Sequence, residues 1–293
     1  MDCQHLHLEQ IVGNYLMKNS SFLFLIIIIF SNCCFAQNEV IKLWPGKVPG
    51  ETEAKHPAEI YTAKTSGINI KRITNITDPQ LTIYKPSKNA NGAAIIICAG
   101  GGYKYLAVNI EGSEIANYFT AKGYTAFVLE YRVPLKIMGA FQDLQRAIRL
   151  VRSNAYKWNL KSDQIGVIGF SAGGNLAARA ATGFNNRSYG TVDLIDSVSC
   201  RPDFSLLIYP SSLTTSDKKL IPEIKPTTET PPIFVFITAD DNVPFELGQA
   251  LKELKQPFEL HVFPHGGHGY GLRKGNPAAE AWPSLAEKWI QHR

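Results

Sequence analysis

Ser171 lies within Gly169-Phe170-Ser171-Ala172-Gly173-Gly174, a Gly-x-Ser-x-Gly corner. The apolar run Gln164 to Ile168 leads into it, and the alanine-rich stretch Asn175 to Ala181 leads out. Strand, tight turn and helix in that order are the setting in which such a corner presents a nucleophilic serine. Gly169 and Gly173 keep Cβ atoms away where the two backbones nearly touch, and the turn lifts the hydroxyl clear of the sheet. The N–H groups after Ser171 open a helix N-terminus, which favours negative charge developing beside it. For acyl transfer the serine also needs a base, an acid to orient the base, and N–H donors for an oxyanion.

The acid should come from Ala239-Asp240-Asp241-Asn242-Val243-Pro244, directly after the apolar run Ile233 to Thr238. A carboxylate just past the C-terminal end of a strand faces the crevice where α/β sheets bind ligands. Asp240 is favoured, because the spacing Asp-x-x-Val-Pro lets Val243 and Pro244 turn the chain into the next helix. Asp241 competes for the role, though it is better suited to capping that helix. The base should come from Pro264-His265-Gly266-Gly267-His268-Gly269-Tyr270, which follows the strand-like Phe258 to Phe263. His268 is the candidate, with glycines around it that leave room for substrate, and His265 supports the loop. A metal cluster of His261, His265 and His268 is the rival reading. It has no zinc-type spacing and His261 sits inside a strand, so no metal is expected.

Ala93 to Cys98 is another buried strand, followed by Ala99-Gly100-Gly101-Gly102-Tyr103. The Lys-Ser/Thr ending of a phosphate loop is missing. Bare backbone N–H groups at Gly101 or Gly102, together with that of Ala172, can instead face a carbonyl oxygen as an oxyanion hole. Tyr103 and Tyr105 beside this loop are candidate substrate-binding residues, although loop tyrosines more often serve packing. The chain order is glycine loop, Ser171, Asp240, His268, which is the order of the α/β-hydrolase fold and not of chymotrypsin or subtilisin.

The elements that must position these residues alternate. Strands at Leu81–Tyr84, Ala93–Cys98, Tyr124–Tyr131, Gln164–Ile168, Phe204–Tyr209, Ile233–Thr238 and Phe258–Phe263 are separated by helical stretches. The latter cover Gly112–Lys122, Phe141–Trp158, the segment after Ser171, Phe245–Lys255 and Ser284–Ile290. Such alternation makes an α/β fold: a mostly parallel sheet with helices on both faces. Residues 69–84 read as an antiparallel pair at its N-terminal edge. Gly183–Arg201 and Ser211–Pro232 break the alternation and read as substrate-facing loops, too polar for a lipase lid.

The N-terminal region reads differently. Lys18 precedes nine unbroken apolar residues from Phe22 to Phe30, and Cys34-Phe35-Ala36 closes the run. This is a secretory signal peptide pattern over 17–36, with cleavage after Ala36, and the run is too short to span a bilayer. Residues 1–16 are then an upstream extension, and 37–293 a single catalytic domain, secreted or periplasmic. Cleavage removes Lys18 against Asp2 and Glu9, which raises the formal charge from +5 to +6. Without a Lys/Arg run this excludes a nucleic-acid partner. Cys98 and Cys200 alone remain, too few for a disulfide framework, and their strands place them at opposite edges of the sheet.

Taken together, Ala99-Gly100-Gly101-Gly102-Tyr103, Glu111-Gly112, Glu130-Tyr131-Arg132-Val133-Pro134, the Ser171 corner, Arg201-Pro202-Asp203-Phe204 and Gly267-His268-Gly269 resemble a known group. They are similar to the secreted bacterial acetylxylan-esterase-like α/β hydrolases, also called xylanase-like or dienelactone-hydrolase-like. Leu43-Trp44-Pro45-Gly46 extends the resemblance to 41–293. It implies removal of acetyl or similar short acyl groups from plant or algal polysaccharides, without metal or organic cofactor. It also implies Ser171 as nucleophile, Asp240 as acid and His268 as base. Cys98 departs from the pattern, standing where many relatives carry His or Pro. Two other readings are a prolyl-oligopeptidase-like peptidase, suggested by Asp240-Asp241-Asn242-Val243, and a non-catalytic carbohydrate-binding relative.

Overall fold

A computed structural model describes residues 38–293 apart from residue 66. The expected signal peptide and upstream extension lie outside the described residues. The strands are β1 (Val40–Lys42), β2 (Glu59–Thr65), β3 (Ile68–Thr74), β4 (Gln80–Tyr84), β5 (Ala94–Cys98), β6 (Leu106–Ala107), β7 (Thr125–Glu130), β8 (Ile165–Phe170), β9 (Phe204–Ile208), β10 (Ile233–Thr238) and β11 (Phe258–Phe263). The α-helices are α1 (Glu114–Ala121), α2 (Ile137–Ser153), α3 (Ala172–Gly183), α4 (Phe245–Glu253) and α5 (Pro277–His292).

Eight strands form one sheet in the order β1-β4-β7-β5-β8-β9-β10-β11. From β7 to β11 neighbouring strands are parallel, and β4 and β1 add an antiparallel edge. The composition of β5 follows from its place. It is covered on both faces, so all five residues are buried and none needs to be polar. Ile95 and Ile97 pack towards α1 and α5, while Ile96 and Cys98 pack towards α2 and α3. Each parallel strand delivers its C-terminal end to the same edge, which is where ligands bind in such sheets. The α/β fold read from the sequence is the one observed.

Two details differ from the sequence reading. Residues 69–84 are not a pair: β3 joins β2 and β6 in a separate three-stranded sheet, and β4 enters the main sheet between β1 and β7. The connection between them sinks into the core, with Ile76 only 2 % exposed and its N–H bonded to the Val133 carbonyl at 3.0 Å. The second difference is Gly183–Arg201. Because α3 carries the chain back across the sheet, this segment emerges at the N-terminal edge, ahead of β9, and not beside Ser171. It is fastened to α2 instead: Arg146 reaches Asp193 at 2.6 and 2.7 Å and Asp196 at 3.0 Å. Ser211–Pro232 does leave from the C-terminal edge, where the Ser211 N–H bonds the Ser171 carbonyl at 3.1 Å. Cys98 and Cys200 are buried free thiols.

One buried ion pair holds the β7 exit to α2. Asp143 is fully buried and accepts from Arg132 Nε at 2.9 Å, the Arg132 N–H at 3.0 Å and Trp44 Nε1 at 2.9 Å. The rest of the Arg132 guanidinium is spent on Pro49, Gly139 and Gln142. Removing the carboxylate strands a buried cation, so Asp143→Ala is expected to cost about 3–5 kcal/mol of stability. Denaturant unfolding of the two proteins checks this.

Candidate active site

Ser171 is the residue between β8 and α3, at φ 53° and ψ −117°. A side chain held at positive φ costs about 1–3 kcal/mol and persists only where the surroundings dictate it. Here they do. The Ser171 N–H bonds the Ile208 carbonyl at 3.1 Å, and its own carbonyl accepts the N–H of Asn175 at 3.1 Å. A Cβ on Gly169 would collide with the Gly173 carbonyl, and one on Gly173 with the Cys98 carbonyl. The two glycines therefore let β8, α3 and β5 close on the turn.

His268 Nε2 lies 2.7 Å from Ser171 Oγ, and His268 Nδ1 lies 2.6 Å from Asp241 Oδ2. An ionised carboxylate only accepts hydrogen bonds, so Nδ1 carries the proton and Nε2 is left to accept from the serine hydroxyl. This is the tautomer a base needs. The expected acid is corrected by one residue: Asp241, not Asp240, meets the imidazole. Asp240 accepts instead from the N–H of Gly267 at 3.2 Å and of Gly266 at 3.3 Å. The neighbouring Thr238 hydroxyl and these N–H groups hold the Asp240 carboxyl below the usual carboxylate range. The cause of the shift in register is a turn. The Asp241 N–H bonds the Thr238 carbonyl at 3.1 Å, and beyond this turn the Asp241 carboxylate meets His268 while that of Asp240 meets the Gly266 and Gly267 N–H groups. Nor does Asp241 cap the next helix, since Pro244 holds the N-cap of α4 without a side-chain bond.

Gly101 and Gly102 stand at φ 135° and 63°, conformations that favour glycine, and both line a cavity of about 600 Å³ together with Ser171 and His268. Their loop is closed by the Lys104 N–H on the Gly101 carbonyl at 3.0 Å and the Ala107 N–H on the Gly100 carbonyl at 3.0 Å. Ala172 is the first residue of α3, so its N–H has no place in the helix ladder. Tyr103 is corrected: it is buried, and its hydroxyl donates to Asn175 Oδ1 at 2.9 Å beneath the loop, so it presents no face to a sugar. Tyr105 does line the cavity, in one apolar cluster with Ile68 and Ile70 of the small sheet, with the Arg72 guanidinium 4.2 Å above its ring. His265 is exposed. Among the described residues no group of three His, Cys, Asp or Glu side chains gathers to hold a metal.

Glu111 and Tyr209 are residues to which the sequence alone assigns no task. Glu111 is 3 % exposed, and burial pushes its carboxyl above the usual range. The Tyr209 ring lies edge-on to His268, with centroids 5.1 Å apart. The signal in the sequence is an acidic residue just ahead of the apolar face of α1.

The glycine loop and the Ser171 corner fall within residues 81–203, which match the family model BD-FAE. The crystal structure of an acetyl ester-xyloside bifunctional hydrolase from Caldicellulosiruptor lactoaceticus superposes with a TM-score of 0.73 at 31% identity, over 89% of this chain and 98% of that one. This chain is an acetylxylan-esterase-like α/β hydrolase. The hydrolase is also 31% identical over 221 residues to endo-1,4-beta-xylanase B of Butyrivibrio fibrisolvens, 65% of this chain and 34% of that protein. It is 27% identical over 244 residues to the acetylxylan esterase of Xylanibacter ruminicola, 73% of this chain and 48% of that protein. The hydrolase thus spans between a third and a half of the length of these curated relatives. Among its described residues no helix is long and apolar enough to cross a membrane.

Proposed function

We propose that this hydrolase is a serine esterase that removes acetyl or other short acyl groups from plant or algal polysaccharides or oligosaccharides. The observation that carries the reading is the continuous line Ser171 Oγ, His268, Asp241, at 2.7 and 2.6 Å. His268 Nε2 takes the Ser171 proton as Oγ attacks the ester carbonyl, and the Asp241 carboxylate stabilises the imidazolium. The N–H groups of Ala172 and of Gly101 or Gly102 receive the oxyanion. The tetrahedral intermediate collapses, the C–O bond to the sugar breaks, and His268 returns its proton to the departing alkoxide. Water, deprotonated by His268, then attacks the acyl-serine, the bond from the acyl carbon to Ser171 Oγ breaks, His268 returns the proton to Oγ, and the carboxylic acid leaves.

The names of the relatives support an acylated carbohydrate as substrate, and the signal-like pattern over 17–36 supports an exported enzyme. An apolar wall at Ile68, Ile70 and Tyr105 suits a short acyl group, with the sugar towards the open side. Acetate release from acetylated xylan and other acetylated glycans, run beside p-nitrophenyl acetate and Gly-Pro amides, tests this reading. Esters are expected to turn over well ahead of amides, with acetate freed from at least one glycan. Amide turnover dominating ester turnover would favour the peptidase reading.

A further inference from the structure

Three loops meet at the cavity: the glycine loop after β5, the corner after β9 and the histidine loop after β11. A single buried side chain touches the first and reaches the other two through one hydroxyl. Glu111 Oε2 accepts the Gly100 N–H at 2.7 Å, and Glu111 Oε1 accepts the Tyr209 hydroxyl at 2.8 Å. The Tyr209 oxygen in turn accepts the Gly271 N–H at 3.0 Å. The Gly271 N–H donates to the Tyr209 oxygen, the Tyr209 hydroxyl donates to one Glu111 oxygen, and the Gly100 N–H donates to the other. Both oxygens act as acceptors, and both bonds are out of water, where such bonds are strong and costly to break.

Resting on the esterase reading, we propose that Glu111 is a positioning residue that holds the oxyanion loop and the His268 loop in register with Ser171. Gly100 is wedged in place: a Cβ there would lie 2.8 Å from Glu111 Oε2 on one side and 2.8 Å from the Ser171 Cβ on the other. The carboxylate therefore sets how closely the peptide units at Gly101 and Gly102 stand to the nucleophile. On the other arm, the Tyr209 ring abuts His268, and its hydroxyl anchors Gly271 three residues beyond it. Tyr209 itself is held at φ 37°, next to the Ile208 carbonyl that fixes the Ser171 N–H. An oxyanion hole acts through geometry, and losing one donor costs about 10²–10³ in rate, so a loop set loose should act on kcat more than on KM.

The test compares Glu111→Leu, Glu111→Gln and Tyr209→Phe with the wild type on p-nitrophenyl acetate. Active sites are counted by fluorophosphonate labelling run to completion, so kcat is read per reactive serine and not per folded chain. For Glu111→Leu the expected result is a fall of about 10²-fold in kcat with KM changed less than about threefold. Glu111→Gln keeps an acceptor for the Gly100 N–H and is expected to recover to within about tenfold of wild type. A wild-type kcat per labelled serine in folded Glu111→Leu overturns the proposal. Should that variant not fold, Tyr209→Phe decides: about a tenfold fall is expected from losing the hydroxyl arm, and an unchanged kcat overturns it. The esterase reading fails separately, by a wild-type protein that neither labels at serine nor hydrolyses the ester.

Discussion

Ser171→Ala should lower kcat for p-nitrophenyl acetate by about 10⁴–10⁶-fold while leaving the fold intact. The size follows from what the hydroxyl does. In the proposed mechanism its oxygen becomes acylated, and it is the group that His268 faces at 2.7 Å. With alanine there, water must attack directly, helped only by oxyanion donors and binding, which together leave a residue of about 10³–10⁴-fold over the uncatalysed rate. Ser171 also occupies a strained φ of 53°, and alanine keeps the same Cβ, so the loss should be chemical and not structural. Turnover at saturating substrate, with near- and far-ultraviolet circular dichroism to verify the fold, measures it. Wild-type turnover in the variant would contradict the assignment.

The second large effect separates two adjacent carboxylates. Asp241→Asn should reduce kcat by about 10³–10⁴-fold, because an amide can donate to Nδ1, stabilising the tautomer with the proton on the wrong nitrogen, and supplies no charge for the imidazolium. Asp240→Asn should reduce it by about tenfold or less, since an amide oxygen still accepts the N–H groups of Gly266 and Gly267. Steady-state kinetics on the two variants decides between them. The opposite pattern would return the role to Asp240.

That pair shows where reading from sequence stops. The ends of β10 and β11 were legible to the residue, because the β10 run closes at Thr238 ahead of Ala239-Asp240-Asp241, and the alternating Phe258-Glu259-Leu260-His261-Val262-Phe263 closes ahead of Pro264. Which of two neighbouring aspartates enters the crevice depends on a single turn, closed by the Asp241 N–H on the Thr238 carbonyl, and composition carries no trace of it. Likewise β2 is exposed at nearly every position, so it has no alternating pattern, and only its pairing with β3 makes it a strand. For Tyr103 the sequence left stacking and packing both open, and the structure takes packing: its hydroxyl finds Asn175, seventy-two positions away in the chain, and the ring follows it inward. Glu111 is the same case in reverse. Its charge ahead of the apolar face of α1 was visible, whereas its partners Gly100 and Tyr209 lie in the loops after β5 and β9 and meet it only in three dimensions.

The central claim is that Ser171 carries the acyl group between sugar and water. Mixing the wild-type protein with excess p-nitrophenyl acetate, quenching in acid within the first turnovers and mapping the peptides by mass spectrometry tests it directly. One acetyl group on the peptide containing Ser171, absent from Ser171→Ala, is the expected result. Steady ester hydrolysis with no acetyl on that serine, or with acetyl on another residue, would contradict it.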